Sequence, residues 1–183
     1  MVMKTLILLI DFYGHPVLNT DPYNNHIRYS SLLEIVTAAH VNRNQCILYS
    51  NQQHNNDEKL REIRDMAING GMEFWYGEPD TPNAIDYFTK RFQLDKNNSQ
   101  IILGGVNTSG CIYRNKPFGA YHWSKAGFKT KIYLPMTIEY EQKGINDLER
   151  NINGFATLYK RIKKDKCFDI DIIKNFDDLE LPV

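Results

Sequence analysis

Apolar residues in this chain gather in short unbroken runs rather than in an alternating pattern. Residues 6–10 read Leu-Ile-Leu-Leu-Ile, residues 46–49 Cys-Ile-Leu-Tyr, residues 101–103 Ile-Ile-Leu and residues 132–134 Ile-Tyr-Leu. A strand that is apolar at every position is buried on both faces, as in a parallel sheet covered by helices on each side. Between the runs the spacing changes to three and four. Leu32, Val36, Ala39 and Arg43 mark one helical face, and Ile85, Phe88 and Phe92 another. The longest such series is Ile145, Leu148, Ile152, Phe155, Tyr159 and Ile162, weakened only by Gly154. It ends in Lys160, Arg161, Lys163 and Lys164, cations that suit the negative end of a helix. A short strand over residues 167–170 is expected next, and residues 177–183 are expected to fray. Strand and helix thus alternate, which predicts βαβ units and an α/β fold with a mostly parallel sheet.

Bulk properties narrow the class. A chain of 183 residues fits one domain, 1–183, and buries enough surface to fold without disulfides or metal. Lys plus Arg and Asp plus Glu are 22 each, so the net charge is zero. Neither nucleic acid nor an anionic membrane is expected as a partner, and long-range repulsion between copies is weak. Cys46, Cys111 and Cys167 are odd in number and contain no C-x-x-C pair, so they form neither a disulfide framework nor a zinc site. The first apolar run is too short for a signal peptide and stops at Asp11, and no run approaches a membrane span. A cytoplasmic protein is the expectation.

Chemistry concentrates where strands end. In a doubly wound sheet, sites form beyond the carboxyl ends of the strands. Asp11 closes the first run, Gln52, Gln53 and His54 follow the second, and Gly-Gly-Val-Asn-Thr-Ser-Gly-Cys over residues 104–111 follows the third. Glycines allow a sharp turn there, Thr108 or Ser109 can cap a following helix, and Cys111 then falls in its first turn. A helix start favours a thiolate and offers N–H groups to an oxyanion. Cys111 is therefore a candidate nucleophile and Asp11 a candidate general base. The plainer alternative is a buried inert cysteine and an aspartate that caps a turn.

These residues carry a resemblance. The strand ending at Asp11, residues 47–50 leading to His54, and above all Gly-Val-Asn-Thr-Ser-Gly-Cys-Ile over 105–112 resemble the isochorismatase-like cysteine hydrolases, whose signature reads G-V-x-T-x-x-C-V. Residues 126–132, the long helix and the segment 167–173 are similar in order and spacing. The resemblance implies a Rossmann-like three-layer α/β/α fold with about six mostly parallel strands. It implies an Asp-Lys-Cys triad acting on small amides, carbamoyl compounds or ureides through an acyl-enzyme. It also implies site roles for Asn107, Thr108 and Gly110, and a peptide near cis at Asn107–Thr108.

Three departures follow. The stretch 71–79, where the triad lysine belongs, has none, and Lys59, Lys90 and Lys96 read as solvated. Gln52-Gln53-His54 replaces a metal-binding D-x-H pair, so no metal is expected, and no cofactor. Arg-Asn-Lys-Pro over 114–117 lengthens the segment after Cys111, and Pro117 should kink or restart its helix. Phe12, Tyr13, Phe74, Trp75, Tyr76, Tyr113 and Phe118, with His54, are candidates to line a pocket. Two readings stay open: a hydrolase for a small-molecule substrate, using Cys111 and Asp11, or an inactive member serving as a binding or assembly module. A nucleotide-binding Rossmann domain is disfavoured, since Gly104-Gly105 is not G-x-G-x-x-G. A homodimer is expected, through the stripe carrying Phe155 and Tyr159.

Overall fold

The unbroken apolar runs become strands covered on both sides. The computed structural model describes residues 3–11, 22–39, 46–51, 58–77, 83–139, 147–167 and 169–181. Its strands are β1 (Lys4–Ile10), β2 (Cys46–Ser50), β3 (Glu73–Tyr76), β4 (Ser99–Val106), β5 (Lys129–Ile138) and β6 (Ile170–Ile173). They form one parallel sheet in the order β3-β2-β1-β4-β5-β6. Every residue of β2 and β4 is buried, as is β1 from Thr5 onward. On one face Ile7, Leu9 and Leu48 pack against α1 (Pro22–Ala39) and α2 (Glu58–Asn69). On the other, Leu6, Leu8 and Leu103 pack against α3 (Ala84–Arg91), a π-helical segment (Thr108–Asn115), α4 (Ala120–Lys125) and α5 (Asp147–Asp165). The fold is the expected three-layer, Rossmann-like α/β arrangement. No helix among the described residues is long and apolar enough to cross a membrane.

Two features of the sheet set up its carboxyl-end rim. The chain leaves β1 for one face and β4 for the other, and these strands are neighbours, so the topological switch point lies between their ends. On β5, Ile132 pairs with Leu103 but Thr137 with Gly105, five steps along β5 against two along β4. The excess forms a bulge containing Pro135, which has no N–H to give to a ladder. The bulge brings Ile138 beside Val106 and delivers Glu139 to the rim next to Asn107.

Two expectations at the C-terminal end are corrected. Cys167 does not begin a strand: its N–H bonds to the Ile162 carbonyl, and Lys166 is left-handed (φ 54°), so these residues close α5 and the strand starts at Ile170. Nor does the tail fray from residue 177. Phe176–Leu179 forms a 3₁₀ turn with Leu179 fully buried. The buried Lys131 ammonium donates to the Leu179 carbonyl at 2.6 Å and to Glu180 Oε2 at 3.1 Å, and Lys129 reaches the same carboxylate at 2.7 Å. Lys131→Met is expected to cost about 1–3 kcal/mol by orphaning a buried carbonyl, read by chemical unfolding. Hydrogen bonds from Lys129 and Lys131 hold the Glu180 carboxyl near 2, below its ordinary 4.5. Its contribution is therefore complete above the ordinary carboxylate range and is lost as pH falls through about 2. A Lys131→Met protein as stable as wild type would contradict the tether.

Candidate active site

Both ends of the switch point are made by residues in left-handed backbone. Asp11 (φ 50°) ends β1 and Asn107 (φ 64°, ψ 67°) ends β4. Asp and Asn take this conformation more readily than other side-chain-bearing residues, at a cost of about 1–3 kcal/mol each. Each is held by surroundings that over-determine it. The Asp11 N–H donates to Asn51 Oδ1 at 2.7 Å, and Asn51 Nδ2 donates back to Asp11 Oδ1 at 2.8 Å. Asn51, buried just after β2, is anchored by its own N–H to the Leu9 carbonyl. The Asn107 N–H donates to the Ile138 carbonyl at 2.7 Å, and its carbonyl accepts from Gly110 at 3.0 Å and Ile112 at 3.2 Å. No peptide bond among the described residues is cis, so the expectation at Asn107–Thr108 is not met; the backbone turns through the left-handed Asn107 instead.

The half-buried Cys111 lies between these two residues. The Asp11 carboxylate is near enough for its charge to act on the thiol, and Asn107 Nδ2 lies 3.7 Å from the sulfur. The Asn107 amide can lie there because residue 110 is glycine; a Cβ would come within 2.3 Å of Asn107 Oδ1. Lys116 completes the group, with Nζ 3.8 Å from Asp11 Oδ1. Sequence reasoning missed both Asn51 and Lys116. Asn51 sits two residues past an apolar run, where a signal exists but is shared with many loop starts. Lys116 follows the cysteine, on the side where no lysine is sought.

Burial, then the neighbouring Asp11 charge, push the Cys111 thiol up, while Lys116 and the Asn107 hydrogen bond pull it down; the net shift is upward. The expected thiolate-stabilising helix start is corrected by what occupies it. The buried Glu139 carboxylate accepts the Ser109 N–H at 3.0 Å, placing negative charge on the positive pole. Arg161 of α5 donates to the Ser109 carbonyl. Glu139 fits against α5 because residue 154 is glycine; a Cβ there would meet Glu139 Oε2 at 2.2 Å. With the Ser109 and Gly110 N–H groups engaged, the Asn107 side-chain amide is the donor beside the sulfur. Thr108 is fully buried, and its hydroxyl finds no hydrogen-bond partner among the described residues.

The aromatic residues divide. Tyr113 and Phe118 are core rather than pocket wall: both are buried, and the Tyr113 hydroxyl, raised by burial and by Asp165, donates to Asp165 Oδ2 at 2.9 Å. Phe74 packs on the α1–α2 side. Trp75 lies under the Arg91 guanidinium at 3.9 Å, and its N–H donates to Glu73. Tyr76 is exposed at the rim end of β3, two strands from Asp11. Phe12, Tyr13, Gln52 and His54 lie outside the described residues. A half-open cavity of about 230 Å³ between the start of α3 and α4, bordered by Asp86, Pro117, His122 and Lys125, has neither Asp11 nor Cys111 in its lining. Among the described residues no group of three or more His, Cys, Asp or Glu side chains converges as a metal site would. On α5, Leu158 and Ile162 are buried while Ile152 and Tyr159 are exposed, so the apolar series splits between two faces.

No family model and no curated protein matches the sequence. Among solved structures the chain is similar to a protein described as MAR1 ribonuclease from Caenorhabditis elegans, with a TM-score of 0.56 and 11% identity over 86% of this chain and 73% of that one. At that identity the likeness shows a shared fold.

Proposed function

We propose that the chain is a cysteine hydrolase of the isochorismatase-like kind, acting on a small amide, carbamoyl compound or ureide. The observation that carries this reading is the gathering of Cys111, Asn107, Asp11 and Lys116 at the switch point of the sheet, with Asn107 Nδ2 3.7 Å from the sulfur and Lys116 Nζ 3.8 Å from Asp11 Oδ1. An upward-shifted thiol is protonated at neutral pH and needs a base, and Asp11 is in place to be one. As Asp11 takes the proton, the sulfur attacks the substrate carbonyl and a C–S bond forms. The Asn107 amide donates to the developing oxyanion. The C–N bond then breaks, and the proton passes from Asp11 to the leaving nitrogen. Water, giving a proton to Asp11, cleaves the thioester, releases the acid and restores the thiol. The ribonuclease description belongs to a protein that shares the fold; the zero net charge of this chain supplies no bulk attraction for a phosphate backbone.

The test combines reactivity with turnover. Cys111 is expected to react with iodoacetamide faster than Cys46, which burial pushes up to about 11, or the buried Cys167. Ammonia release from a panel of small amides and ureides is expected to disappear in Cys111→Ala, with an acyl adduct on Cys111 in the wild type. Equal labelling of all three cysteines and no release from any compound would reject the hydrolase and favour a binding module.

A further inference from the structure

We propose that Lys116 supplies the positive charge of the Cys111–Asp11 site, brought there from the C-terminal side of the cysteine by the π-helical winding of Thr108–Asn115. The proposal rests on the reading of Cys111 as a nucleophile and names a positioning residue for it.

Three observations carry it. The first is the distance of 3.8 Å from Lys116 Nζ to Asp11 Oδ1, between side chains each about a quarter exposed, 26% and 25%. The second is winding. In an α-helix residue i+5 points about 140° away from residue i, at 3.6 residues per turn. A π-helix closes its hydrogen bonds between residues five apart, so i+5 returns close to the line above i. Cys111 and Lys116 are five apart, at the fourth position and the C-cap of a π-helical segment. The third is how that segment stops. Lys116 is extended (φ −89°, ψ 143°), as a residue before proline must be, and Pro117 prevents the helix from continuing past it. The proline that looks from sequence like a simple helix breaker thus fixes the turn that carries the lysine.

No other described cation is as well placed. Arg114, on the same segment, pairs with Asp165 of α5 at 3.2 Å. Arg161 of α5 is spent on the Ser109 carbonyl, and the His122 ring of α4 lies 3.1 Å from the Arg114 carbonyl. Glu139, from the end of β5, adds negative charge at Ser109. Asp11 and Lys116 are therefore the charged pair acting on the sulfur, with opposite signs. Lys116 acts partly through Asp11: it pairs with the carboxylate and offsets the charge that opposes thiolate formation.

The experiment measures the thiol itself. Cys111 is titrated by ultraviolet thiolate absorbance, as the difference between each protein and its Cys111→Ser counterpart, and by iodoacetamide alkylation rate against pH. Lys116→Gln is expected to raise the Cys111 midpoint by about one unit and to slow alkylation at neutral pH about tenfold. Lys116→Arg keeps the charge and should restore most of the wild-type profile. Lys116→Met, which keeps the aliphatic stem, should behave like Lys116→Gln and guards against a packing defect. Profiles of Lys116→Gln and Lys116→Met that overlie the wild type would overturn the proposal. The two readings fail separately. A midpoint shift without turnover of any amide would sink the hydrolase and leave the charge assignment standing. Turnover that depends on Cys111, with no shift on losing Lys116, would sink only the lysine.

Discussion

Gly105→Ala is expected to leave little or no folded protein. Gly105 has φ +132°, a region closed to side-chain-bearing residues, and it faces Ile10 across the β1–β4 ladder. A Cβ there would lie 1.8 Å from the Ile10 carbonyl oxygen and 2.7 Å from its carbon. Both are backbone atoms, so relief requires parting the two central strands of the sheet. A clash of this kind belongs with the largest single-residue effects, above about 4 kcal/mol, against a total stability of roughly 5–15 kcal/mol for a domain. At roughly 2–4 °C per kcal/mol for a chain of this length, the melting temperature should fall by at least about 8 °C if the variant folds at all. Gly127→Ala is the control. Gly127 is also at positive φ (+84°), but its added Cβ would meet nothing closer than Lys96 Cδ at 3.6 Å. It should cost only the conformational strain, about 1–2 kcal/mol. A Gly105→Ala protein that melts with the Gly127→Ala one would refute the close-approach argument.

The contrast between these glycines bears on what a sequence can reveal. The sheet was legible because burial on both faces leaves an unbroken apolar signature, and β1, β2, β4 and most of β5 carry it. The edge strands were less so. β3 is only partly buried and has no continuous run to read, and β6 is short and was expected at 167–170, three residues before it begins. The rim was half legible. Asp11, Asn107 and Cys111 stand at strand ends, where topology alone marks them as neighbours. Lys116 was hidden by an assumption about winding: on an α-helix it faces away from Cys111, and nothing in Thr-Ser-Gly-Cys-Ile-Tyr-Arg-Asn announces a π-helix. Glu139 was hidden by the β5 bulge, which takes up three extra residues and so places it beside Asn107, where a regular strand would put residue 136. Gly154 reads as a defect in a helix until Glu139 is placed against it. What escapes the sequence here is not residue type but the departures from regular geometry that bring distant residues to one point.

Asp11→Asn should move two observables in opposite directions, and that opposition separates its role from mere structural support. The substitution is close to isosteric. An asparagine tolerates the left-handed backbone at position 11, its Oδ1 can still accept from Asn51, and its N–H can still donate to Asn51 Oδ1. The fold should therefore survive. Asparagine cannot take up a proton at neutral pH, so hydrolysis of whichever amide proves to be a substrate should fall about 10²–10⁴-fold, the usual contribution of a positioned base. The thiol responds the other way. Burial, the largest cause of its upward shift, is unchanged. The Asp11 charge, which raises the thiol, is gone, whereas Lys116 and Asn107, which lower it, remain. The Cys111 midpoint must then fall, the thiolate fraction at neutral pH must rise, and alkylation by iodoacetamide should quicken while turnover collapses. Retained turnover would remove Asp11 from the mechanism. Slower alkylation would mean that the carboxylate favours the thiolate at rest, and the statement that its charge opposes ionisation of the sulfur would have to be withdrawn.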